Sequence, residues 1–167
     1  KKELASEDLE ALVKGIPNLL RHASNIQNVY GLPCVVAINR FPTDTEEEIR
    51  LIIDELKKID VNVILSEVWA KGGEGAIELA NEVVKLCEGE NDFRFAYEDS
   101  DPIEKKIEKI VTKVYGGAGV DYTADAKKQL RTFKKLGYSA LPVCMAKTQY
   151  SFSDNAKLLG APEGFRV

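Results

Sequence analysis

The sequence predicts an α/β fold: a parallel sheet with flanking helices, followed by a smaller α/β lobe on the carboxyl side. Three observations carry that prediction. Over residues 6–87, helical and strand-like segments alternate as helix, strand, helix, strand, helix, the order of successive crossover units in a parallel sheet. The chain of 167 residues is 44% hydrophobic and 30% charged, the balance of a globular protein able to bury a core. An acidic, aperiodic stretch at residues 88–101 then separates this alternation from a shorter helix–loop–helix–strand series.

The elements follow in order. Ser6 is a candidate N-cap, and Glu7 and Asp8 suit a first turn where the helix dipole favours acids. Leu9, Leu12, Val13, Ile16, Leu19, Leu20, Ala23 and Ile26 keep helical spacing to about residue 28, and Gly15 and Pro17 are expected to kink or interrupt that run. Tyr30, Gly31, Leu32 and Pro33 turn the chain into a strand over residues 34–38. A second helix is predicted over about 45–59, with Glu46, Glu47 and Glu48 in its first turn. A second strand covers 62–65, a loop 66–75, and a third helix about 76–87. Beyond the connection, Asp101 and Pro102 open a helix to about residue 114, residues 115–120 form a glycine-rich loop, and Thr123 caps a helix over about 124–136. Residues 141–146 read as a strand, and 147–165 as mostly loop.

Whole classes of function drop out on composition. The formal charge is −4 and no basic stripe occurs, so nucleic acid is not an expected partner. No apolar run approaches the roughly 20 residues needed to span a bilayer, so no membrane role is expected either. Cys34, Cys87 and Cys144 are odd in number and far apart. Reduced thiols in a cytoplasmic protein are therefore expected, with Cys34 and Cys144 buried in their strands. The chain opens at Lys1 without Met and stops at Val167 within an apparent strand, as a piece of a longer protein would.

Ligands of open parallel sheets bind outside the carboxyl ends of the strands. Here those ends are residues 39–42 and 66–74. Asn39 offers a donor and an acceptor together, which can match a purine edge, or its amide simply ties down the loop backbone. Phe41 lies on the first rim loop and Trp69, the only Trp, on the second. They either sandwich a flat heterocycle across a crevice or pack each on its own following helix. Residues 70–75, Ala-Lys-Gly-Gly-Glu-Gly, could present backbone amides to an anion, but they lack Walker A spacing and a flexible turn is the favoured reading. The glycines at 116, 117 and 119 are expected only to close a turn. A lone His22 reads as structural. Lys147, Thr148, Gln149, Tyr150 and Ser151 can serve a ligand or ordinary loop hydrogen bonds. No catalytic residue and no metal-ligand set can be assigned.

Four stretches, "GLPCVVAINRFPTDTEEEI", "LSEVWAKGGEGAIELA", "KVYGGAGVDYTADAKKQL" and "LPVCMAKTQYSFSDNAKLLGAPEGF", together resemble the formate–tetrahydrofolate ligase family, and "LEALVKGIPNLLRHASNI" is similar to it as well. The resemblance covers essentially the whole chain, in order, and points to an internal, carboxyl-side portion that lacks the family's Walker A loop. It implies that residues 1–93 are part of a P-loop NTPase-like core binding nucleotide and folate, and that 94–167 form a smaller α/β lobe truncated at its end. It implies a parent that joins formate to tetrahydrofolate through formyl phosphate, using ATP, Mg²⁺ and a monovalent cation, as a homotetramer. Residue by residue, it implies that Phe41 and Trp69 are walls of the folate site and that Asn39 lies at its nucleotide end. Against this stands a reading from another class: a folded structural or assembly portion with no ligand affinity of its own.

Overall fold

The computed structural model describes residues 6–146 and 151–167. The chain forms two compact units, Lys1–Phe93 and Arg94–Val167.

In the first unit, α1 (Leu9–Ser24) is capped by Asp8, whose carboxylate accepts from the Ala11 amide at 2.9 Å, so the cap lies two residues after the expected Ser6. Pro17 sits inside α1 without ending it. The carbonyl that Pro17 leaves unpaired belongs to Val13, an exposed residue, where water can satisfy it. The helix runs on into a π-helical turn, Asn25–Val29. Strand β1 (Val35–Asn39) pairs in parallel with β2 (Asn62–Ser66), Val35 opposite Asn62 and Asn39 opposite Ser66, as the crossover reading requires. Between them, α2 (Glu46–Lys57) starts with a capping box. The Thr45 hydroxyl accepts from the Glu48 amide and the Glu48 carboxylate accepts from the Thr45 amide, each at 3.2 Å. The second Glu48 oxygen accepts from the Asp8 amide at 3.1 Å, which ties the start of α1 to α2.

Among the described residues the sheet contains only these two strands. Its core forms where α1 and α2 meet it: Leu56, Ala23 and Val61 are buried, packed by Leu19, Leu20, Cys34, Val36, Ile52 and Val63. Three residues of the spacing that predicted α1, Leu19, Leu20 and Ala23, supply that face. After β2 the chain does not form an open loop. It makes a short helix α3 (Val68–Lys71) and a 3₁₀ turn (Gly72–Ala76) before α4 (Ile77–Glu88), which packs against both strands.

The second unit holds α5 (Ile103–Lys109), continued by a π-helical turn (Ile110–Tyr115), and α6 (Ala124–Lys135), capped by Thr123. The expected α/β character is absent from it. Among the described residues it has isolated bridges, Gly119 with Arg166 and Ser151 with Gly160, and no strand. Residues 141–146 pair with no strand among the described residues, and side chains take several of their main-chain groups instead. Lys106, fully buried, donates to the carbonyls of Ala140 at 2.8 Å and Leu141 at 3.1 Å. The Tyr97 hydroxyl donates to the Val143 carbonyl and accepts from its amide, and the Tyr115 hydroxyl donates to the Met145 carbonyl at 3.1 Å. Pro142 has no amide to give a ladder. Val111, Phe152, Ile110 and Tyr115 form the core, with the Tyr115 and Phe152 rings 6.4 Å apart.

The cysteines need a correction. Cys34, Cys87 and Cys144 are all free, but only Cys34 is even half-buried, and Cys144 is exposed because the segment carrying it is not enclosed in a sheet. Burial pushes the Cys34 thiol upward, so it stays protonated. Among the described residues, no helix is long and apolar enough to cross a membrane.

Candidate functional site

The carboxyl ends of β1 and β2 lie side by side because their last residues, Asn39 and Ser66, are register partners. The pairing continues one bond further, with the Arg40 amide donating to the Ser66 carbonyl at 3.1 Å. Both rim segments therefore leave the sheet from one place.

On the first segment, Asp44 holds the turn that presents Phe41. Its carboxylate accepts from the Phe41 amide at 2.8 Å, and its own amide donates to the Phe41 carbonyl at 3.0 Å. Arg40 pairs with Glu46 in the first turn of α2. Phe41 is left 54% exposed, and Asn39 is exposed at the strand end.

On the second segment, Glu67 is the hub of the turn that carries Trp69. Its carbonyl accepts from the amides of Ala70 (3.0 Å) and Lys71 (2.9 Å), and its amide donates to the Gly75 carbonyl at 3.0 Å. Its carboxylate pairs with Lys71 at 2.5 Å. That bond holds the Glu67 carboxyl below its ordinary range, and the charges of Lys71 and Arg40 add to the effect. Trp69 stands 75% exposed on this turn.

Of the residues singled out in the sequence, Asn39, Phe41 and Trp69 thus lie on adjoining strand ends, exposed, with the two rings not in mutual contact. Neither aromatic is enclosed by its own following helix. Both large rings are left to solvent on segments that follow neighbouring strand ends. The anion-loop reading of residues 70–75 is not supported, because the amides of Ala70 and Lys71 are already bonded to Glu67. The flexible-turn reading is corrected as well: the segment is helical and closed on itself. His22 is exposed in the last turn of α1. Lys147, Thr148, Gln149 and Tyr150 lie outside the described residues, and Ser151 is buried, with its hydroxyl bonded to the Leu158 carbonyl. Glu67 escaped the sequence reading, although Glu67 and Lys71 at i, i+4 were the available signal.

Among the described residues no group of His, Cys, Asp and Glu is arranged to hold a metal ion. A cavity of about 640 Å³ within the second unit, lined by Lys105, Tyr122, Lys134 and Arg166 among others, contains none of the rim residues. The glycine-rich loop beside that cavity does more than close a turn. Its main chain bonds the carboxyl-terminal segment: Ala118 N–H donates to the Phe165 carbonyl at 2.7 Å, and the Gly116 carbonyl accepts from Gly164 N–H at 3.1 Å. Compared with known families, residues 1–167 match the family model described as formate--tetrahydrofolate ligase.

Proposed function

The chain belongs to the formate–tetrahydrofolate ligase family, and from that premise we propose that its rim is the folate-stacking wall of an ATP-dependent ligase. Strands β1 and β2, with their helices, form the carboxyl-side part of a P-loop NTPase-like core, and Phe41 and Trp69 take the two faces of the pteridine ring. Asn39 lies at the nucleotide end of the same crevice. The parent converts formate and ATP to formyl phosphate and ADP, and N10 of tetrahydrofolate then attacks the formyl carbon and releases phosphate to give 10-formyltetrahydrofolate. This chain's own contribution is to bind and orient the folate. The phosphates, Mg²⁺ and the monovalent cation are held by other parts of a cytoplasmic homotetramer.

The observation that carries the reading is the exposure of both aromatics at strand ends that are register partners. A flat heterocycle between two rings is held on both faces, and each stack contributes roughly 1–3 kcal/mol. Losing one wall therefore weakens folate binding by about 5- to 150-fold. The test is Trp69→Ala in the full-length parent, with Michaelis constants for tetrahydrofolate and ATP measured side by side. The folate constant should rise within that range while the ATP constant changes less. An unchanged folate constant, or a defect confined to ATP, overturns the reading. For the isolated chain, the missing Walker A loop favours a second reading, a folded assembly portion without catalysis of its own.

A further inference from the structure

We infer that Gly75 is a positioning residue for Trp69, because the close approach of its backbone to Glu67 sets where the indole stands on the rim. The functional consequence rests on the folate reading above; the geometry does not.

A side chain at Gly75 has no room. A Cβ there would lie 2.4 Å from the Glu67 carbonyl carbon, 2.5 Å from its oxygen and 2.8 Å from the Val68 nitrogen. All three are main-chain atoms, so no rotamer change relieves the overlap. Ordinary carbon–carbon contact needs about 3.5 Å, so the peptide joining Glu67 and Val68 would have to move by about 1 Å. That peptide begins the helical turn of Trp69, and its carbonyl is the acceptor for both Ala70 and Lys71. Displacing it therefore carries the whole turn. The indole has little burial to resist the shift, since Trp69 is 75% exposed. A 1 Å misplacement of a group that orients substrate is enough to damage catalysis.

The same loop contains its own control. A Cβ at Gly73 would meet nothing within 4 Å, and the residue has no positive φ, so alanine is accommodated there. Gly72 is unsuitable, because its φ of +59° strains any side chain whatever the space.

Trp69 is the only Trp of the chain, so 5-fluorotryptophan labelling gives a single ¹⁹F resonance that reports the rim without any ligand. Gly75→Ala should shift or broaden that resonance by more than its linewidth, and Gly73→Ala should leave it in place. Lys71→Met, which removes the Glu67 ion pair without the steric overlap, should move it less than Gly75→Ala. In the full-length parent, Gly75→Ala should raise the tetrahydrofolate Michaelis constant at least about 5-fold, the lower end of a lost stack, with the ATP constant within about twofold. An unmoved resonance in Gly75→Ala overturns the inference, and so does loss of cooperative melting, which would make Gly75 a requirement of the fold rather than of the rim. A moved resonance with an unchanged folate constant upholds the positioning role and overturns the folate reading instead.

Discussion

The two compact units order their chains by different means. In Lys1–Phe93, main-chain ladders do the ordering: a parallel strand pair, three longer helices and a capping box, closed over a small aliphatic core at Leu56, Ala23 and Val61. In Arg94–Val167, long polar side chains reach main-chain groups far along the sequence, with Lys106 holding Ala140 and Leu141, Tyr97 holding Val143, and Tyr115 holding Met145. The first arrangement leaves exposed groups at its strand ends, since its core at Leu56, Ala23 and Val61 does not include them. The second consumes these polar groups internally. An exposed aromatic rim and a buried cation are thus opposite uses of costly side chains. The rim keeps its surface open to a ligand.

That contrast breaks most readily at Lys106. Lys106→Met keeps most of the volume but removes the two hydrogen bonds from the Lys106 ammonium to the carbonyls of Ala140 and Leu141, at about 1.5 kcal/mol each. A loss on the order of 3 kcal/mol is expected in urea denaturation followed by circular dichroism. A loss below about 1 kcal/mol would mean that the second unit is ordered by its apolar cluster after all. In the first unit, Thr45→Ala removes one half of the capping box and should cost about 1 kcal/mol by the same measurement.

A third effect appears only in acid. The buried Asp101 carboxyl bonds Lys109, accepts from the Glu98 amide and lies 3.4 Å from Lys105, which holds it at about 2. Because its folded value lies below the ordinary 3.8, its stabilisation is complete above about pH 4 and is lost as pH falls through about 2. Asp101→Asn should flatten that acid limb, and an unaltered acid titration by circular dichroism would count against the assignment. The smallest expected effect is the most telling for function: Trp69→Ala should change stability by no more than about 0.5 kcal/mol, since an exposed side chain contributes little to the fold. A large loss would make Trp69 a structural residue.

The same contrast decides how much could be read from the sequence. Periodicity gave α1, α2, α4 and both strands nearly to their ends, because in the first unit local pattern and tertiary role coincide. Pro17 does not interrupt α1, since the carbonyl four residues earlier belongs to Val13, an exposed residue where water can reach it. Residues 141–146 misled more seriously. Their apolar run looks like a strand, but a strand needs a partner, and nothing local reveals that Lys106, Tyr97 and Tyr115 take its main-chain groups from 30 or more residues away. At the rim, the place of Asn39, Phe41 and Trp69 at adjoining strand ends was legible, because the crossover order puts both carboxyl ends on one side of the sheet. Glu67 and Gly75 were not, because their importance lies in a close approach that only coordinates disclose.

The most direct test of the folate wall is a crystal structure of the full-length parent with tetrahydrofolate bound, measured at the Phe41 and Trp69 rings. The account predicts the pteridine between them, with the two ring planes about 7 Å apart, twice a van der Waals contact of ~3.5 Å. A pteridine bound elsewhere, or the two rings turned into separate pockets, would contradict it.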